Sequence, residues 1–157
     1  MGNERNLLFT YGSLMVEPNF LCSVRLKNYK RSWEVLIKEI KVTSLGISNK
    51  DGANCNGLIY EVDGGKLQEL DIRETNSYKR VEINRDYIEL IEGDLPEGRI
   101  WTYITKIPQG PTKDSPILMS YVEVILTGCI NIGEGFTKEF LESTYDWRFI
   151  EGDLKKP

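Results

Sequence analysis

Histidine is absent from this sequence. A serine or cysteine nucleophile usually needs an imidazole beside it to take its proton, so hydrolases of the triad type are disfavoured. Structural zinc is disfavoured as well. The three cysteines, Cys22, Cys55 and Cys129, are widely spaced, form no Cys-x-x-Cys pair and have no histidine to complete a ligand set. Long apolar runs are also missing. None approaches the roughly 18 residues of a membrane span, and the run after Met1-Gly2-Asn3-Glu4-Arg5 is too short for a signal-peptide core. Nor is there an excess of positive charge: Lys and Arg number 20 against 24 Asp and Glu, a formal net charge of -4, and the cations are scattered. Such a surface repels phosphate backbones and anionic lipid. The expectations are a cytoplasmic protein with no nucleic-acid partner, no membrane contact, no metal and no cofactor, and the sequence fixes no oligomeric state. Chemistry must then come from carboxylates, tyrosines, lysines or backbone amides.

What is present is enough apolar material, 40% of 157 residues, for one substantial core, and residues 1–157 read as a single domain. Leu7-Leu8-Phe9-Thr10 is a short run of strand formers that ends near a glycine turn. Pro18 predicts a short helix through Phe20, Leu21 and Val24. Between Trp33 and Val42 the apolar spacing fits a strand as well as a helix, and residues 49–56 read as a polar loop. Strands are expected at 57–62, 78–83, 87–91 and 100–104, with Asp63-Gly64-Gly65 ending the first of them before a short helix that reaches Glu74. Ser115-Pro116 predicts an N-cap and first-turn proline for a helix over 117–130, and a last helix starts near Thr137 and carries Phe140 and Leu141. Strands in the middle and helices at the end make the class α+β, with a mixed sheet expected to curl into a barrel.

Three features could carry chemistry. In Tyr11-Gly12-Ser13-Leu14, between a buried strand and a short helix, glycine lets a ligand approach the backbone, and successive N–H groups form a concave site for a carboxylate. The same string also serves as a plain turn. In Leu67-Gln68-Glu69-Leu70-Asp71-Ile72-Arg73-Glu74, helical spacing sets Glu74 one turn from Leu70 and two from Leu67, at the edge of the buried face. Desolvation there favours the neutral acid, which is what a proton shuttle needs. Asp71 falls near the same face, and both acids can equally be helix-end residues on an exposed shoulder. Tyr121, with Ile117 and Val124 on its face, points into the fold as a core residue or a ligand contact. Gly133-x-Gly135 follows a helix rather than a strand and carries no nucleotide signal.

In order and spacing these pieces resemble the γ-glutamylcyclotransferase-like (AIG2-like, γ-glutamylamine cyclotransferase-like) family. The segments that match are Tyr11-Gly12-Ser13-Leu14 after its strand, Gly57-Leu58-Ile59-Tyr60, Leu70-Asp71-x-x-Glu74 followed by Tyr78-x-Arg80, and Ser120-Tyr121-Val122-x-Val124 with Gly128. The resemblance implies a small mixed β-barrel flanked by helices. It implies that Glu74 is catalytic, that the amides of residues 11–14 grip a γ-glutamyl group, that Tyr121 contacts substrate, and that no metal is used. Leu14 stands where some members carry asparagine, which bears on the choice of leaving amine. Cyclisation to 5-oxoproline suits such a site, because the α-amine and γ-carbonyl belong to one molecule and need only correct folding and a proton carrier. The far wall of the pocket is expected from the stretch after Trp33 and from residues 108–116. A second reading, from another class, is a non-catalytic module that keeps the pocket for a small carboxylate or as an interaction domain.

Overall fold

The structure is a computed structural model that describes residues 5–152. Residues 1–4, on which the expectation of no leader partly rests, and residues 153–157 lie outside the described part. Strand β1 (Asn6–Thr10) forms where expected and buries Leu7, Leu8 and Phe9. It has a neighbour on each side, antiparallel β3 (Val42–Val62) and parallel β6 (Arg99–Thr105). A central strand covered on both faces has no need of polar alternation, hence the continuous apolar run. β2 (Cys22–Ile37) and β3 make a long antiparallel hairpin. β4 (Tyr78–Ile83) pairs with β6, and β5 (Ile88–Gly93) with the first part of β2.

Across the sheet the order is β4-β6-β1-β3-β2-β5, with β8 (Thr144–Tyr145) added in parallel to β2. The class is α+β and the sheet is mixed, as expected. Closure into a barrel is not found. β5 reaches only Cys22 to Leu26 of β2, β4 lies at the opposite edge, and no pairing joins the two among the described residues.

Local chemistry accounts for the other departures. No helix follows Pro18, because Asn19 adopts a left-handed backbone (φ 71°) that a right-handed helix does not admit. Leu21 N–H is instead drawn to Ile59 C=O at 2.8 Å, where the β2–β3 ladder begins. The short helix forms earlier, as a 3-10 turn over Ser13–Val16. Residues 49–56 belong to β3 rather than to a loop. Lys27 pairs with Asn54 and Tyr29 with Asn49, so residues 50–53 bulge opposite Asn28, whose Oδ1 accepts from Gly52 N–H at 3.1 Å. The ambiguous stretch from Trp33 to Val42 is strand, turn and strand.

Helix α1 (Gly64–Glu74) is capped by Asp63, whose Oδ1 accepts from Lys66 N–H at 2.7 Å. Ser115-Pro116 does not open a helix. Thr43 takes the Pro116 carbonyl with its N–H (2.9 Å) and the Ser115 carbonyl with its hydroxyl (2.6 Å). Ile117–Leu118 is a short strand, β7, in parallel with β9 (Ile150–Glu151), and helix α2 occupies Met119–Ile132. Helix α3 spans Glu134–Ser143, starting before Thr137; it buries Phe140 and leaves Leu141 exposed. In the core beneath α3 lies a fully buried cation, Arg31. Its guanidinium donates to Asn56 C=O (2.6 Å), Asn56 Oδ1 (2.8 Å), Thr144 Oγ1 (2.8 Å) and Ser143 Oγ (2.9 Å), and stacks 4.1 Å over the Phe140 ring.

Candidate functional site

As β1 ends, Tyr11 is fastened at both its hydroxyl and its carbonyl. Its O–H donates to Tyr103 C=O at 2.7 Å, and its own C=O accepts from Arg31 at 3.4 Å. The chain then turns at Gly12. Met15 N–H makes the first bond of the turn, to Gly12 C=O at 2.9 Å, so the N–H groups of Gly12, Ser13 and Leu14 are not used within it. A β-carbon on Gly12 would meet Leu45 Cδ1 at 3.6 Å, an ordinary contact. Crowding by the protein therefore does not explain this glycine.

Glu74 is the last residue of α1, with Leu67 and Leu70 buried behind it. Its side chain keeps 24% of its surface, and Oε2 accepts two bonds from Arg73, Nε at 3.1 Å and Nη2 at 3.0 Å. Tyr121 is half-buried, its ring set edge-on against Trp33 at 5.9 Å. Its oxygen accepts from Ser44 Oγ at 3.0 Å, and Ser13 Oγ lies 3.5 Å away. Ile117 is not on its helix, and Val124, three residues along α2 and so beside Tyr121, is exposed. One cavity of about 240 Å³ is lined by Tyr11, Gly12, Ser13, Leu14, Glu74 and Tyr121 together. From the wall expected after Trp33 come Ile37, Ser44 and Leu45, while residues 108–116 contribute nothing to the lining.

Sequence reasoning missed Tyr78 and Tyr103, which also face this cavity. Tyr78 stands in the segment Tyr78-x-Arg80 just after Glu74, whereas Tyr103 reaches the cavity through the pairing of β6 with β1, which no local pattern reports. Both hydroxyls are committed: Tyr78 donates to Leu45 C=O at 2.6 Å and Tyr103 to Asp71 Oδ1 at 2.7 Å. Burial pushes Tyr11, Tyr78 and Tyr103 above the usual phenol range, with neighbouring tyrosines adding to the effect on Tyr11 and Tyr78 and Asp71 adding to it on Tyr103. These three stay neutral near pH 7. Cys22, Cys55 and Cys129 are buried and free, and burial pushes the Cys55 and Cys129 thiols up to about 11, far from nucleophilic thiolates. Among the described residues no group of three or more Cys, Asp or Glu is arranged to hold a metal ion.

The model of the family described as "Gamma-glutamyl cyclotransferase, AIG2-like" matches residues 8–120. The chain belongs to that family. The matched span holds the glycine loop and Glu74 and stops one residue before Tyr121. Solved structures agree in fold with this γ-glutamyl cyclotransferase family member. One, named γ-glutamyl cyclotransferase, is 18% identical with a TM-score of 0.68 over 92% of both chains. Another, an uncharacterized protein from Homo sapiens, is 18% identical with a TM-score of 0.70 over 99% of this chain and 93% of that one. A yeast γ-glutamyl cyclotransferase specific to glutathione is 14% identical with a TM-score of 0.59 over 93% of this chain and 98% of that one. No curated protein matches the sequence significantly. Within the described residues no helix is long and apolar enough to cross a membrane.

Proposed function

We propose that this chain releases 5-oxoproline and an amine from a γ-glutamyl compound, with Glu74 as general base and then general acid. The observation that carries the reading is the single cavity lined by both Glu74 and the glycine loop. The α-ammonium of the substrate gives a proton to Glu74, and its nitrogen attacks the γ-carbonyl of the same molecule. The C–N bond to the leaving group then breaks as Glu74 returns that proton to the departing nitrogen. The second proton, shed when the ring nitrogen becomes the lactam N–H, passes the same way and lets the amine leave as its ammonium. No water is consumed and no external nucleophile is needed. Holding both reacting groups of one molecule in place supplies a large part of the rate, effective molarities for such reactions reaching about 10⁵ M or more.

Each other element has a role in this scheme. The Gly12, Ser13 and Leu14 amides, unused within their turn, are suited to the α-carboxylate or to the oxyanion of the tetrahedral intermediate. Tyr11, Tyr78 and Tyr103 have spent their hydroxyl donors on the protein and act as wall. Tyr121, Ser13 and Ser44 retain hydroxyls that can turn towards a ligand. Replacing Glu74 with Gln keeps the shape and abolishes proton transfer, so 5-oxoproline release should fall by about 10²-fold or more. A Glu74→Gln variant as fast as the native chain would remove the residue from the mechanism.

One observation favours the second reading, a module that binds without turnover. Arg73 and Glu74 form a charged pair at the cavity, chemistry suited to gripping the carboxylate and ammonium of a zwitterion. Calorimetry beside a turnover panel of γ-glutamyl amino acids, γ-glutamylamines and glutathione separates the two. Binding with no product from any of them would favour the module.

A further inference from the structure

Glu74 sits where a helix is loosest, at its C-terminal end. α1 buries Leu67 and Leu70 and no other side chain, and Ile72 is 78% exposed. After Leu70, apolar packing therefore does not hold the helix down. Two polar ties do so: Lys106 Nζ donates to Thr75 C=O at the helix C-cap, and the last turn itself is tied to the sheet by Asp71. Its Oδ1 accepts from Tyr103 O–H at 2.7 Å and from Arg80 Nε at 2.8 Å, and its Oδ2 accepts from Arg80 Nη2 at 3.0 Å. Two strands are tied to the helix in this way, β6 through Tyr103 and β4 through Arg80. The Arg80 guanidinium lies 4.4 Å over the Trp101 ring, so its fork is oriented before it meets the carboxylate.

An acid near a helix C-terminus opposes the helix dipole. Local helix chemistry thus gives no reason for Asp71, whereas its partners on the sheet do. Asp71 and Glu74 are three residues apart and so neighbours on one face of the helix. Tyr103 connects the tie to the site, since it lines the cavity and its hydroxyl holds Asp71.

We propose that Asp71, gripped by Arg80 and Tyr103, is a positioning residue that fixes the last turn of α1 and so aims the Glu74 carboxyl at the cavity. The inference rests on Glu74 being the proton carrier. Arg80 foremost, with Tyr103, holds the Asp71 carboxyl below the usual carboxylate range. It stays ionised at neutral pH and is not itself the shuttle.

The test compares Asp71→Ala and Tyr103→Phe with Glu61→Gln, which breaks an equally bidentate exposed pair with Arg5 (2.9 and 2.8 Å) away from the cavity. Two readouts are taken, amide hydrogen exchange and steady-state kinetics on whichever γ-glutamyl compound the native chain turns over. In the first two variants the Arg73, Glu74 and Thr75 amides should exchange about 10-fold faster or more, with the amides of Leu58 and Ile59 in β3 unchanged. Their kcat should fall by roughly 10- to 100-fold with KM nearly constant, because a displaced carboxyl costs rate rather than binding. Glu61→Gln should change neither. Where Asp71→Ala does not fold, Asp71→Asn, which keeps one acceptor for Tyr103, should show the same pattern more weakly. Unchanged exchange at residues 73–75, or a raised KM with kcat retained, overturns the proposal. If the native chain turns over no γ-glutamyl compound, the functional reading fails, and the exchange result alone decides whether Asp71 holds the helix end.

Discussion

Tyr121 is where the residue scale is most open to test, because its ring and its hydroxyl do different jobs. The ring packs edge-on against Trp33 and the hydroxyl meets Ser44 and Ser13 at the cavity. Tyr121→Phe keeps the first and deletes the second. KM for a γ-glutamyl substrate should rise by roughly 2- to 10-fold, the range of one neutral hydrogen bond, with the melting temperature close to native. A KM equal to the native value would leave Tyr121 as packing alone. The place of Glu74 at the edge of the buried face of α1 was legible in the sequence, because helical periodicity reports direction from spacing alone. Tyr103 was not, since its place depends on β6 lying beside β1, a pairing between segments far apart in the chain. Ser44 carries no local signal, and only the hairpin brings it under Tyr121.

Elements explain what the loop needs from its surroundings. β1 presses against β3 so closely that a β-carbon on Gly57 would lie 2.2 Å from Thr10 C=O and 2.6 Å from the Phe9 ring. Gly57→Ala must therefore push the two strands apart just before Tyr11, at an overpacking cost of about 1–3 kcal/mol. A denaturant melt should show that loss, along with weaker ligand binding as the loop shifts. Arg31 acts at the same scale, joining β2 to β3, to α3 and to the Tyr11 carbonyl. Arg31→Met would strand several buried acceptors at about 1–3 kcal/mol each, so the variant should be severely destabilised. Strand formers and turn residues revealed β1, β4, β6 and α1 in the sequence. No helix follows Pro18 and no loop forms at 49–56, because the β2–β3 ladder overrides local preference at both places.

At the scale of the whole molecule, the class and the mixed sheet followed from element order, whereas the open edge did not. Whether a curled sheet closes depends on how far its edge strands overlap, and no local pattern encodes that. Charge is also a property of the whole. Asp71, Glu61 and Glu82 are held below their ordinary ranges by Arg80, Arg5 and Arg99 respectively. A carboxylate depressed in the folded state stabilises it above the unfolded value, near pH 4, and loses that contribution as pH falls through the lower folded value. Melting temperature should thus be flat from pH 7 to 5 and drop below about pH 4, less steeply in high salt because the pairs are exposed. A melting temperature that holds steady down to pH 2 would contradict this.

The three free cysteines all lie inside the fold. A chromogenic disulfide reagent added to the native chain should therefore stay colourless until the core opens, and the rate of colour development then measures how often it opens. The fold thus carries its own stopwatch, readable without any dye attached to the surface.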